Sequence, residues 1–143
     1  MHERGFSLVD ILITCMLIAT VLTVGLSSWG NFSAHHKLQN ACDSLMSDLW
    51  RARVASLAGN LPVSVQVRSD GSAYSVVESG EPSAWRELPS GVRFSQFPTK
   101  NVTFYPRGSA VPGGTYILSN PSGTLQVIVA ASGRVRWQRI QAE

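Results

Sequence analysis

At 143 residues the chain has room for one ordinary domain and not for two. Hydrophobic residues make up 44% and charged residues only 15%, which is low for a purely soluble protein. The formal net charge is +3, and two cysteines exclude a disulfide-rich scaffold.

The apolar content is concentrated near the N-terminus. A short polar stretch, MHERG, precedes FSLVDILITCMLIATVLTVGL, which runs from Phe6 to Leu26 with Asp10 as its one charge. At ~1.5 Å per residue, a helix of that length is enough to cross a hydrocarbon core. The order is not that of a cleaved secretory signal, because no small-residue cleavage site follows the apolar run. His2, Arg4 and the initial amine lie before the helix, whereas Asp43 and Asp48 fall well after it. Positive-inside logic therefore keeps the leader in the cytoplasm and the C-terminal bulk outside. An isolated carboxylate inside an apolar segment is costly and marks Asp10 as a functional residue.

Past Trp29 the pattern becomes amphipathic. Leu38, Cys42, Leu45, Leu49, Ala52 and Leu57 recur at three- and four-residue steps, an apolar stripe meant for packing. Lys37, Gln39, Asp43, Ser47, Asp48 and Arg51 fall mainly on other faces. Gly59-Asn60 makes a helix C-terminus, with Pro62 just beyond. One helix of roughly 50 residues is expected, half in lipid and half against a sheet, with Gly25, Ser27, Ser28 and Gly30 softening it at the membrane edge. On such a helix Cys15 and Cys42 lie roughly 40 Å apart, far beyond the ~7 Å a disulfide spans, and Cys15 is expected to be a buried apolar residue.

After Pro62 the period changes to two. Val63–Val67 alternates, Asp70-Gly71 signals a hairpin turn, and Tyr74–Glu78 is the return strand. A Gly/Pro-rich break covers residues 79–83. Further strands are expected at Val92–Phe97, Val102–Tyr105, Thr115–Leu118, Leu125–Ala130 and Arg134–Arg139, with Gly, Pro, Ser and Asn between them. The fold class expected is α+β, one long N-terminal helix packed on an antiparallel β-sheet domain.

No nucleophile–base–acid set, P-loop, dinucleotide fingerprint or zinc spacing is present, so neither a catalytic residue, a metal ligand nor a cofactor is expected, and the chain is not read as an enzyme. Charge is unevenly spread. Between Leu88 and Ala142 lie six basic residues (Arg93, Lys100, Arg107, Arg134, Arg136, Arg139) and no acid, while Lys37 to Glu87 holds five basic and six acidic residues. Such a basic half suits a polyanion. In a strand beginning at Gly133, Arg134 and Arg136 share one face about 7 Å apart, close to the spacing of adjacent backbone phosphates, and Val135 and Trp137 share the other. The plainer reading is that these arginines are solubilising charges on an exposed sheet.

Gly5-Phe6-Ser7-Leu8-Val9-Asp10 resembles the prepilin motif of type IV pilins and type II secretion pseudopilins. The resemblance implies that a prepilin peptidase cuts between Gly5 and Phe6 and methylates the Phe6 amine. It also implies that Asp10, in the place of the usual Glu, pairs with a neighbouring subunit's amine during filament assembly. It divides the chain into a leader (1–5), a transmembrane and assembly helix (6–29), its amphipathic continuation (30–60) and an extracytoplasmic antiparallel β domain (61–143).

Phe104-Tyr105-Pro106-Arg107-Gly108-Ser109, Gly114-Thr115-Tyr116-Ile117-Leu118 and Gly133-Arg134-Val135-Arg136 are similar to the GspH/FimT group of minor pseudopilins and pilins. That likeness implies the pilin fold, single-pass insertion in the inner membrane with the domain in the periplasm, and then a place in a pilus or pseudopilus with other pilin or pseudopilin subunits as partners. In FimT-like minor pilins a C-terminal Gly-Arg-x-Arg motif is associated with DNA binding during natural transformation. The expected function is therefore a minor type IV pilin that binds DNA through Arg134 and Arg136, with Arg139, Arg107 and Lys100 widening the patch. The alternatives are a purely structural type II secretion pseudopilin or pilus-priming subunit, and a signal-anchored domain outside any filament.

Overall fold

The computed structural model describes residues 7–78 and 80–140, apart from the side chains of residues 23–32 and 81. The prepilin residues Gly5 and Phe6 lie outside the described residues. Helix α1, Leu8–Gly59, is 52 residues long and continuous in its backbone through the glycine- and serine-containing stretch. Its start is set by the Ser7 carbonyl, which accepts the Asp10 N–H at 2.9 Å. Asp10 is exposed in the first turn, where a carboxylate complements the N-terminal end of the helix dipole. At the other end Asn60, not Gly59, takes the left-handed conformation, with φ of 50°.

The chain divides between Ser33 and Ala34 into two units. In the first, Leu8, Leu12, Met16, Leu17 and Val21 are exposed. Cys15 is exposed too, contrary to the buried role expected of it, because no other element of this unit covers the helix. Among the described residues no helix is long and apolar enough to cross a membrane.

The described residues of the second unit form ten antiparallel strands in two sheets. Strands β1 (Val63–Val67), β2 (Ala73–Glu78), β3 (Glu81–Pro82), β4 (Arg86–Glu87), β6 (Val102–Phe104) and β7 (Ala110–Val111) make the first, in the order β3-β2-β1-β6-β7, with β4 also paired to β2. Strands β5 (Arg93–Gln96), β8 (Gly114–Asn120), β9 (Gly123–Val129) and β10 (Val135–Ile140) make the second, in the order β10-β9-β8-β5. The β1–β2 hairpin closes where expected: Gly71 turns with φ of 69°, and the Ser72 N–H and hydroxyl both donate to Asp70, holding its carboxyl below the usual range. The short strands β3, β4 and β7 lie in stretches read as breaks or loops.

A single core joins the stripe Leu38, Cys42, Leu45, Leu49 and Ala52 to inward side chains of both sheets, among them Val65, Tyr74, Phe104, Tyr116, Leu118 and Val127. Burial pushes the Cys42 thiol up to about 11, with the Asp43 carboxylate adding to the effect. Two positions depart from the expected stripe. Leu57 is half-exposed, and Ser56 is buried in its place, its hydroxyl donating to the Arg53 carbonyl at 2.8 Å. Asp48, expected on a polar face, is only 6% exposed. The Tyr74 hydroxyl donates to Asp48 Oδ2 at 2.7 Å, and the Arg86 guanidinium stands 3.2 Å from the same oxygen. This carboxylate satisfies a tyrosine that would otherwise be orphaned in the core.

Candidate basic surface

Two glycine turns meet beside the helix. In the first, the Gly108 N–H donates to the Tyr105 carbonyl at 2.8 Å; in the second, the Gly133 N–H donates to the Ala130 carbonyl at 2.8 Å. Both glycines have positive φ, 83° and 74°. They are in contact: a Cβ on Gly133 would run into the Gly108 carbonyl oxygen and come within 3.1 Å of Arg53 Nε. Arg53 reaches from the helix beneath both turns, its Nη2 lying 3.5 Å from the Ser132 carbonyl. The sequence offers Gly108 and Gly133 as separate turn signals; their contact across 25 positions has no local signature, and Arg53 carries none either.

Each turn carries an exposed arginine next to its glycine, Arg107 and Arg134. Strand β10 begins at Val135 rather than Gly133, yet the Ala130 N–H still donates to the Arg134 carbonyl at 2.9 Å. That bond continues the β9–β10 register, in which Val135 faces Val129 and Arg136 faces Ile128. Arg134 and Arg136 therefore share one face of the sheet, as alternation predicts. Lys100 lies in the loop after β5, near the same end of the sheet: Pro98 of that loop packs where a Cβ on Gly114, the first residue of β8, would stand.

Arg139 does not join this group. In the β10 register it faces Leu125, on the side of Val135 and Trp137, and it lies near the strand's opposite end. Its Nη2 is 3.2 Å from His35 Nε2 on the helix, so it ties strand to helix instead of widening a patch. The same end of the domain is fastened by Asn120, whose side-chain amide donates to the Ala34 carbonyl at 2.6 Å. Arg107, Arg134, Arg136 and Lys100 form no ion pair with any described residue; among the described residues the ion pairs belong to Arg51, Arg68 and Arg86.

A second surface is apolar. Trp50, Val54, Leu57 and Leu61 repeat at four-, three- and four-residue steps and are each about half exposed. The first three lie on a face of α1 that the domain's own core leaves uncovered, and Leu61 follows just past the helix end.

The family model for the type II transport protein GspH matches residues 41–133. The chain belongs to the GspH family. Its fold is similar to that of the type IV minor pilin FimU of Pseudomonas aeruginosa, with a TM-score of 0.61 at 20% identity over 75% of this chain and 92% of that one. It is equally similar to the minor pseudopilin EpsH from the type II secretion system of Vibrio cholerae, with a TM-score of 0.60 at 12% identity over 72% and 97% of the two chains. These likenesses show the pilin fold expected from the sequence, an α-helix packed on antiparallel sheets. No curated protein matches the sequence. In this GspH-family chain the matched region contains Gly108 and ends at Gly133, so it takes in both turns whose contact builds the basic surface.

Proposed function

We propose that this GspH-family chain is a minor pilin with a structural, non-catalytic role, which assembles into a pilus and binds extracellular DNA during natural transformation. The observation that carries the DNA reading is the packing of Gly108 against Gly133, which brings together the two turns that carry the exposed Arg107 and Arg134. Arg136 follows on the same sheet face, and no acid occurs from Leu88 to Ala142 to cancel the charge. Two arginines about 7 Å apart on one strand face suit backbone phosphates, and contacts of this kind carry no sequence information.

Binding is expected to weaken steeply with salt, with log K falling by ~0.9 per neutralised phosphate for each decade of salt. Fluorescence anisotropy of a labelled duplex, titrated with the full chain in non-ionic detergent at several salt concentrations, measures this directly. The double substitution Arg134→Ala, Arg136→Ala should lower affinity at low salt and flatten the slope by about 2. Unchanged affinity and slope in the double variant would remove these two residues from the contact.

Assembly begins at the N-terminus. The prepilin peptidase is proposed to cut after Gly5 and methylate Phe6, while residues 6–29 hold the subunit in the inner membrane with residues 61–143 on the periplasmic side. Asp10 then pairs with the amine of a neighbouring pilin subunit. The intact mass of chain purified from membranes decides this: loss of residues 1–5 and gain of one methyl group is expected, and retention of Met1 would defeat it.

A second reading, a type II secretion pseudopilin touching only other subunits, is favoured by the description of the matched family model as a transport protein. The uncovered Trp50–Leu61 stripe suits subunit contacts under either reading.

A further inference from the structure

Beside the basic turns lies an open groove of about 720 Å³, lined by Asn60, Tyr105, Pro106, Arg107, Ser109 and Val111. Its lining combines one aromatic ring, one cation, two neutral hydrogen-bonding side chains and two apolar ones, with no acid. Its volume falls within the ~300–1,000 Å³ of small-molecule sites. Tyr105 is 42% exposed, and its hydroxyl makes no hydrogen bond to any described residue. Its backbone is held on both sides: the Tyr105 N–H donates to the Ser109 carbonyl at 2.9 Å, and the Tyr105 carbonyl accepts from Gly108 N at 2.8 Å, with the Ser56 Oγ 3.4 Å away. The ring is therefore a platform on a fixed backbone, next in chain to Pro106 and two residues from Arg107.

We infer that this groove is a nucleobase-stacking site, in which Tyr105 receives one unpaired base of single-stranded DNA while Arg107 and Arg134 hold the flanking phosphates. The inference rests on the DNA reading above and adds a preference to it. Phosphate contacts alone do not distinguish one strand from two. A base inside a duplex has both faces already stacked and is denied to Tyr105, whereas an unpaired base offers a free face to any aromatic ring beside a cation. Asn60 and Ser109 supply donors and acceptors at the groove wall for the base edge. Charge complementarity thus selects a polyanion, and the exposed ring selects its unpaired form.

The test compares a labelled 15-mer of thymidine with a 15-base-pair duplex, both titrated at low salt with the full chain in non-ionic detergent. Tyr105→Ala should weaken single-strand binding by about fivefold or more, as base–aromatic stacking is worth ~1–3 kcal/mol, and change duplex binding by less than about twofold. Tyr105→Leu, which keeps an apolar side chain in the groove, should lose the same single-strand affinity, and Tyr105→Phe should retain it. Equal weakening of both forms, or no change in either, overturns the stacking site and leaves the arginine reading standing. Failure of the unsubstituted chain to bind either DNA overturns both.

Discussion

Replacing Gly133 by alanine is expected to destabilise the second unit by about 3 kcal/mol, while the same change at Gly108 costs about 1 kcal/mol. The two glycines share a left-handed backbone, so both substitutions carry the strain of placing a Cβ there. Space separates them. At Gly108 the new methyl meets Arg53 Nη2 at 3.5 Å and Leu57 Cδ2 at 3.7 Å, ordinary contacts with flexible side chains. At Gly133 it drives into the backbone carbonyl of Gly108, which cannot move without opening one turn or the other. Urea denaturation of both variants, followed by tryptophan fluorescence, gives the comparison. Equal losses would mean that the turns are not in contact in solution. Because the same contact brings together the turns that carry Arg107 and Arg134, Gly133→Ala should also weaken DNA binding though it removes no charge.

Asp48→Ala is expected to cost about 2–4 kcal/mol, more than a surface ion pair could account for. The loss falls on Tyr74, a fully buried side chain whose hydroxyl donates to this carboxylate. Without an acceptor that hydroxyl stays desolvated and unpaired, at ~1–3 kcal/mol, and a cavity is added. Arg86 is half-exposed and can turn to water, so it contributes less. Tyr74→Phe, which removes the donor and keeps the ring, should cost about 1 kcal/mol. The double variant should be more stable than the sum of the two losses predicts, by about 1–2 kcal/mol. Simple additivity would show that the Tyr74–Asp48 bond contributes nothing. A loss below about 1 kcal/mol for Asp48→Ala would mean that water from the adjoining cleft of about 310 Å³, lined also by Ser75, Ser83 and Arg86, takes over as acceptor.

Much of this architecture is legible in the sequence because it is periodic. The helix and the longer strands announce themselves through three- and four-residue or two-residue steps, each of which reports one buried face. The same rule reaches further than residue type suggests. Asp48 falls three positions after Leu45, and Ser56 four after Ala52, so spacing puts both on the buried stripe; their polarity argues the other way, and only a partner across the core resolves it. In β10 the parity that joins Arg134 to Arg136 also assigns Arg139 to the face of Val135 and Trp137. Its basic charge does not make it part of the same surface. What the sequence does not carry is the meeting of residues distant along the chain. Nothing local to Gly108 names Gly133, and two-residue strands such as β3, β4 and β7 are too short to display a period.

The position of the glycine turns along the helix has an electrostatic consequence. The domain is fastened at Ala34 and His35 by Asn120 and Arg139, whereas Arg53 underlies the basic turns. From Ala34 to Arg53 a helix rises roughly 28 Å. At physiological salt the Debye length is about 8 Å, so more than three screening lengths separate the two ends of the domain. An anionic surface against the Ala34 end would be all but invisible to Arg107 and Arg134. The domain can therefore stand on negative charge at one end while its free cations attract it at the other.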